Sequence, residues 1–330
     1  MSAIHRRDAV TPSENAMFAT LISLLLPLVS TTSPATQVYT VNGSGPADFP
    51  GIAEAIASPL VTDGDTLLVS GGSYASFVLD KPLHILPVAG EGYGVDHLTV
   101  KNVPYFTLIG ALVRGGLKVQ DVQGASLIDR CRVSSLEITP DYAYSVGRTQ
   151  IINCDELLIQ RGYFVGGDAC YTYGNSEADH AMEIVNSTVV LSNSNLSGGD
   201  EAGFDCPVHY PTVGLGLYVR GGSNVMVVDS SIVAGVGGTG GVPAVSVQQS
   251  DVVIRGNSNN SLQATAQGFA VVIDATSTAT VSGVTLIPPG LPAGVATPLP
   301  AEPFLRATGG ETPGAPLAVD LFGPTGTPAL

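Results

Sequence analysis

A triplet of apolar, any and β-branched character recurs along this chain. Its copies are Leu98-Thr99-Val100, Leu117-Lys118-Val119, Leu136-Glu137-Ile138, Leu157-Leu158-Ile159, Met182-Glu183-Ile184, Leu217-Tyr218-Val219, Val245-Ser246-Val247 and Val271-Val272-Ile273. Their first residues lie 19, 19, 21, 25, 35, 28 and 26 apart. Each copy sets two apolar residues on one side of an extended strand and a third residue on the other, as the two-residue period of a strand requires. A turn residue follows most copies (Asn102, Asp121, Asp141, Asn186, Gly221 and Gly222, Ser250, Asp274), and then a second apolar stretch such as Val189-Val190-Leu191 or Val252-Val253-Ile254. The spacing is too short for a strand-helix-strand crossover and too rich in Gly, Asn and Ser for a helical repeat. A chain that coils back over itself meets the pattern. Each rung then bonds to the rungs above and below, about 4.8 Å away, and the inward side chains stack into one core. A sandwich of short antiparallel strands is the competing architecture, and it sets no register between triplets.

The expected fold class is therefore all-β, a single-stranded parallel β-helix (solenoid). Only 12% of residues are charged, there are 40 Gly and 23 Pro and no Trp, a composition that favours strands and turns over long helices. A solenoid must cover its ends. In residues 48–60 Phe49, Ile52, Ile56 and Leu60 recur at steps of three, four and four, one face of a short helix with Asp48 near its start, read as a cap over the first coil.

From Ala47 to Leu86 the chain reads ADFPGIAEAIASPLVTDGDTLLVSGGSYASFVLDKPLHIL. Its short amphipathic helix, Gly64-Asp65-Thr66-apolar strand, Gly72-Ser73-Tyr74 turn and Lys81-Pro82-Leu83 strand resemble the opening of right-handed parallel β-helix proteins of the pectin-lyase-like superfamily. The resemblance covers about residues 38–288. Right-handedness is what it implies, since the triplets fix only stacking. It says little about chemistry, because a fold of this kind hosts many functions.

Residues 1–35 read as a signal peptide: His5-Arg6-Arg7, an apolar run from Ala16 to Ser30 and a small-residue site at Ser33-Pro34-Ala35. No membrane span is expected once it is removed, because the run is shorter than the ~20 residues of a comfortable span and contains Pro27. The β-helix domain is expected over 36–288, with a Pro/Gly-rich linker and a tail or incomplete small β module over 289–330. With 28 acidic against 13 basic residues the formal charge is −15, which repels a phosphate backbone and excludes nucleic acid as the expected partner.

Export places Cys131, Cys154, Cys170 and Cys206 in an oxidising compartment, where two bridges can form in any of three connectivities. A Cys170 to Cys206 bridge would tie two loops together. Cys131 and Cys154, stacked on adjacent coils, suit either a disulfide or an unbonded ladder. No Cys or His cluster has zinc spacing, and no metal is expected. Calcium held by Asp168, Asp200 and Asp205 is the open cofactor reading, although no known loop motif for it occurs.

The lengthened intervals mark inserted loops, 162–181 and 198–216, which in a solenoid emerge on one side. They hold Asp168, Glu177, Asp179, His180, Asp200, Glu201, Asp205 and His209 with Tyr163, Tyr171, Tyr173 and Tyr210. Aromatic faces can stack on sugar rings while carboxylates bond hydroxyls. Tyr171, Tyr173, Tyr210, Asp168 and Asp200 are accordingly the expected ligand-binding residues, and an extracellular polysaccharide or cell-surface glycan the expected partner. Asp179, His180, Asp205 and His209 are the catalytic candidates, because glycosidic hydrolysis needs two carboxylates ~5–9.5 Å apart. Lyase chemistry needs a base, for which Arg114, Arg161, Arg220 and Arg255 follow strands at expected coil corners. The leading expectation is a secreted or cell-surface recognition protein. A polysaccharide lyase or glycoside hydrolase, and a structural cell-envelope solenoid, are the alternatives.

Overall fold

The computed structural model describes residues 36–134, 148–168, 178–200, 213–237, 241–292 and 294–296, and the backbone of two later strands, Phe304–Gly309 and Leu317–Phe322. From Val38 to Ala296 the strands form one sheet of 24 strands whose described pairings are parallel and which curls around a single apolar interior. Each rung pairs with the matching rung of the next coil, so the strands fall into three ladders. The first runs from Val38–Val41 through Thr66–Val69, His84–Pro87 and Thr107–Ile109, then through residues 127–129 and 157–160. It continues through Thr188–Ser192, Asn224–Val228 and Asp251–Arg255 to Thr278–Ser282. The second runs from Gly72–Tyr74 to Thr285–Ile287. The third runs from Phe77–Leu79 through residues 98–101, 117–120 and 149–152 to Met182–Val185, Leu217–Arg220, Val245–Gln248 and Val271–Ile273. The all-β, parallel, solenoid-like architecture expected from the triplets is present.

The interior is filled in columns. On the first ladder Leu67, Ile85, Leu108, Ile128, Ile159, Leu191, Val227 and Ile254 stack in register, each fully buried. Burying one such side chain stabilises by about 1.5–3 kcal/mol, and no single coil could bury its column alone.

Residues with positive φ turn the chain at the corners. Asn102, Asp121, Asn153, Asn186 and Gln249 sit between the third and first ladders, and Arg130, Arg161, Asn193 and Asp229 between the first and second, all with φ from 46° to 56°. Asn and Asp tolerate this left-handed conformation better than most residues. A buried residue follows each turn, Val in the first two coils at one corner and Cys, Gly or Ser elsewhere, and the small ones form a second kind of column. The backbone N–H of Cys154 donates to Ser187 Oγ (2.9 Å), Ser187 N–H to Ser223 Oγ (3.2 Å), Ser223 N–H to Ser250 Oγ (3.1 Å) and Ser250 N–H to Ser277 Oγ (3.2 Å). Ser223 Oγ in turn donates to the Arg220 carbonyl at 2.8 Å. Ser223→Ala strands the buried Ser187 N–H, while the Arg220 carbonyl keeps the Asn186 N–H, so it is expected to cost about 1–3 kcal/mol. The exposed neighbour Thr188→Ala should stay within about 0.5 kcal/mol in the same denaturant titration.

These columns correct the expectation for Cys131 and Cys154, which are both free and buried. Their similar sequence surroundings arise because each follows a left-handed turn residue, but at different corners. Cys154 heads the serine column and lies in register with Val122. Cys131 lies in the other corner, where its carbonyl accepts the Tyr163 N–H. Burial pushes the Cys131 thiol up to about 12 and the Cys154 thiol up to about 11, so neither is a ready thiolate. Cys170 and Cys206 lie outside the described residues, as do residues 1–35.

The spacing needs a second correction. Leu157-Leu158-Ile159 belongs to the first ladder, against Val189-Val190-Leu191, and the third-ladder rung of its coil is Thr149 to Ile152. Leu136-Glu137-Ile138 lies outside the described residues.

Helix α1 covers Ile52–Ala57 and buries Ile52, Ala55 and Ile56 into the core. It is shorter than the 48–60 expected, and it starts after Gly51 with no side-chain cap. Asp48 instead accepts the Thr40 N–H (2.7 Å) and hydroxyl (2.8 Å), and the Thr40 N–H bond leads in holding its carboxyl below the usual range. Past Ile287, Val295 and Ala296 pair with Ala279 and Thr280 on the first ladder. Phe304–Gly309 and Leu317–Phe322 form a separate antiparallel hairpin.

Candidate functional site

On the third ladder the residue between the two inward positions points outward, and the register stacks these residues as Thr99, Lys118, Gln150, Glu183, Tyr218 and Ser246. Between exposed Val78 at its start and Val272 at its end the row is polar, with one step of about 4.8 Å per coil. At its start a groove of about 330 Å³ is lined by His97, Lys118, Arg148, Gln150 and Asp179 among others.

Glu183 organises the middle of the row. Its carboxylate accepts from Gln150 Nε2 at 2.9 Å, and pairs with Arg148 Nη2 at 3.1 Å and with Arg220 Nη2 at 2.8 Å and Nε at 2.9 Å. The Glu183 side chain is 5% exposed, those of Arg148 and Arg220 39% and 46%. Burial pushes the Glu183 carboxyl up, but the bonds from Gln150 and Arg220 and the two guanidinium charges outweigh it and hold it below the usual range. The cluster has two cations for one anion, in a chain whose formal charge is −15. Beyond it, the Arg220 guanidinium lies 5.9 Å from the Tyr218 ring centre, and the Tyr218 hydroxyl donates to Gln248 Oε1 at 2.7 Å.

The loops adjoin this row. In the early coils one to three residues join the second ladder to the third, whereas later links run from Val133 to Thr149, Val165 to Met182, Ser197 to Leu217 and Val233 to Val245. All leave the same corner, as expected for insertions in a solenoid. Their described stems are locked by backbone bonds, two across single loops and two between stacked coils. Asp179 N–H donates to the Gly167 carbonyl (2.8 Å), Gly199 N–H to Asp179 (3.0 Å), Gly214 N–H to Gly199 (2.8 Å) and Gly235 N–H to Gly214 (3.0 Å). A Cβ on Gly214 would lie 2.0 Å from the Asp179 carbonyl oxygen, an approach only glycine permits.

Among the expected catalytic residues, Asp179 and His180 are described, and both stand beside the row. Burial pushes the Asp179 carboxyl above its usual range, opposed by the Arg148 charge and reinforced by that of Glu183. His180 Nδ1 accepts the Leu215 N–H at 3.1 Å, so any ring proton resides on Nε2, and the ring meets Tyr218 edge-on at 5.2 Å. Asp205 and His209 lie outside the described residues, as do Tyr171, Tyr173 and Tyr210.

Asp168 and Asp200 occupy equivalent places in a repeated Gly-Gly-Asp, and each holds the next coil. Asp168 Oδ1 accepts the Asp200 N–H at 2.8 Å, and Asp200 Oδ1 accepts the Val236 N–H at 2.5 Å. Burial raises the Asp168 carboxyl, with the Asp200 N–H opposing and the Asp200 charge adding to the rise. Both bonds give these acids a stem-fixing role. Among the described residues no three His, Cys, Asp or Glu side chains gather as metal ligands.

Sequence reasoning about loops passed over Lys118, Arg148, Gln150, Glu183 and Tyr218. The signal was the middle residue of each triplet, which is a potential ligand wherever a rung faces outward. Of the corner arginines, Arg220 belongs to the Glu183 cluster, whereas Arg161 grips the buried Asp129 at 2.8 and 2.6 Å. A larger hollow of about 560 Å³ over residues 86–92, Ile109, Gly110 and Arg130 has no comparable gathering of titratable and aromatic groups. No protein-family model, curated protein or solved structure gives a significant match to this chain.

Proposed function

We propose that this protein is an exported right-handed parallel β-helix of the pectin-lyase-like kind that recognises an extracellular or cell-surface glycan along its third ladder. The observation that carries the reading is the outward row Lys118, Gln150, Glu183, Tyr218 and Ser246 beside the corner that bears Asp179 and His180. An extended chain laid across the coils meets a new polar or aromatic side chain about every 4.8 Å. Lys118 and Gln150 donate to hydroxyl or carboxylate oxygens, Asp179 accepts or donates according to its protonation, and Tyr218 supplies an aromatic edge and face. Glu183 does not reach for ligand. It fixes Arg148 and Arg220 in place, so less ordering remains to be done on binding.

One observation favours the enzymatic alternative. Asp179 and Glu183 both feel the Arg148 charge, with carboxyls pushed in opposite directions, Asp179 up and Glu183 down, the kind of difference that divides acid and base roles between two carboxyls. In a lyase or hydrolase reading Asp179 holds the proton that is passed to a leaving oxygen.

A glycan array with product analysis on each hit separates these readings. Binding without cleavage supports recognition, new ends on the glycan support the enzyme, and no binding to any polysaccharide defeats both. In the positive case Lys118→Ala with Gln150→Ala, both on the outward row, is expected to weaken binding about tenfold, the equivalent of 1.4 kcal/mol.

A further inference from the structure

The device that Glu183 builds on the third ladder occurs a second time, at the corner between the first and second ladders. Asp129 stands on the outward side of a first-ladder rung, in register with Ile109 and Gln160, yet it is 2% exposed. Two arginines cover it. Arg161 of the next coil donates to it from Nε at 2.8 Å and from Nη2 at 2.6 Å, and Arg130 donates from Nε at 3.2 Å. The two-pronged bond from Arg161 takes up the carboxylate charge. Arg130 is left with its own charge and, among the described residues, with both terminal nitrogens unbonded, on a side chain that is 43% exposed. Two residues on, the exposed Arg132 lies with its guanidinium 5.1 Å from the centre of the Tyr163 ring, which its rung pairs with in the next coil. The ring steadies that guanidinium. Three arginines thus face one aspartate, an excess of two positive charges in a chain whose formal charge is −15.

The backbone makes the arrangement costly. Arg130 and Arg161 adopt φ of 51° and 53°, whereas the same corner of the following coils holds Asn193 and Asp229, which tolerate the left-handed conformation better. Arg161 answers the buried Asp129, but the turn itself needs neither arginine. A poorly suited residue type kept in two successive coils points to what its side chain does.

We propose that Arg130 and Arg132 bind the phosphate or sulfate ester of a carbohydrate, whose sugar lies in the adjoining hollow of about 560 Å³ that Arg130 lines. A guanidinium offers paired donors that match the oxygens of such an ester. Two guanidinium groups suit its three free oxygens, whereas a carboxylate has two and is filled by a single fork. The hollow has the size of a small-molecule site. Its other charged side chain, Glu91, accepts the Gly71 N–H. The site stands at a different corner from the third ladder and does not rest on the reading proposed for that row.

Isothermal titration calorimetry on the full-length protein tests this, with glucose 6-phosphate, glucose 6-sulfate, glucuronate and glucose as probes. Both esters are expected to bind about tenfold or more tighter than glucose or glucuronate, and to weaken as salt is raised. Arg130→Asn with Arg132→Gln keeps Asp129 paired with Arg161 and gives the corner a residue suited to its φ, and this pair is expected to lose ester affinity about tenfold or more. Arg132→Gln alone, at an exposed position, should weaken it about threefold. Lys118→Ala with Gln150→Ala, on the third ladder, should leave it unchanged, with circular dichroism confirming the fold of each variant. Ester binding that survives the arginine substitutions, or falls equally with the third-ladder pair, overturns the proposal. So do esters bound no better than glucose, and glucuronate bound as well as either ester. Capture by phosphatidylglycerol vesicles without affinity for the sugar esters would assign the arginines to a membrane surface and overturn it too.

Discussion

Gly214→Ala is expected to lower the melting temperature by about 6–12 °C, corresponding to a loss near 3 kcal/mol in a domain of this size. The added methyl would stand 2.0 Å from the Asp179 carbonyl oxygen and 2.7 Å from the Gly199 nitrogen. The Asp179 oxygen belongs to the neighbouring coil and the Gly199 nitrogen to the facing stem of the same loop, both held by backbone bonds, so neither can swing aside and relief requires stem and coil to separate locally. Gly222→Ala is the matched control. Gly222 has φ +85° and open space around its Cβ site, so the substitution adds left-handed strain of about 1–2 kcal/mol without a clash. If the two variants melt together, close approach at the loop stems is not what the glycines provide. Gly214→Ala has a functional consequence as well. Asp179 sits in the same backbone ladder, so glycan binding should fall with the stems even at temperatures where the stack stays folded.

The stacking of coils was legible because two inward positions repeat in every rung, and no other architecture asks for that in copy after copy. Telling one ladder from another was harder. Leu157-Leu158-Ile159 has an inward aliphatic pair like that of Leu117-Lys118-Val119, and an outward aliphatic residue does not separate the ladders, since Val272 is outward in a third-ladder rung. The corners were legible where Asn or Asp supplied the turn, as at Asn102, Asp121 and Asn186, and obscure where Arg130 and Arg161 did so. The likeness of the Cys131 and Cys154 surroundings misled for a related reason, since both corners follow one local recipe. The Glu183 cluster could not be read from spacing at all. Arg148, Glu183 and Arg220 come from three successive coils of unequal length, and only the register brings them together.

That cluster is where charge is most exposed to test. Replacing both Arg148 and Arg220 by alanine leaves the Glu183 carboxylate 5% exposed with Gln150 as its remaining described donor. The expected cost is about 3–5 kcal/mol at pH 7, the range for a buried charge stripped of its partners. Glu183→Ala should cost less, about 2 kcal/mol, because the two half-exposed guanidinium groups it strands can turn to water. The pH dependence follows from the direction of each shift. Glu183 is held below its unfolded value of about 4.3, so its contribution is complete above that pH and is lost as pH falls through the lower folded value. Asp168 and Asp179 are held above their unfolded value of about 3.9. Their contribution is complete below it and is lost as pH rises through the raised folded values. Without Arg148 and Arg220, only the Gln150 bond opposes burial at Glu183, and its carboxyl moves up. The double variant should therefore recover part of its deficit when the pH is lowered from 7 towards 5, and the gap to the wild type should narrow in urea titrations across that range. A gap that stays constant from pH 7 to pH 4 would mean that the arginines act through packing alone and that Glu183 is not the charge they hold.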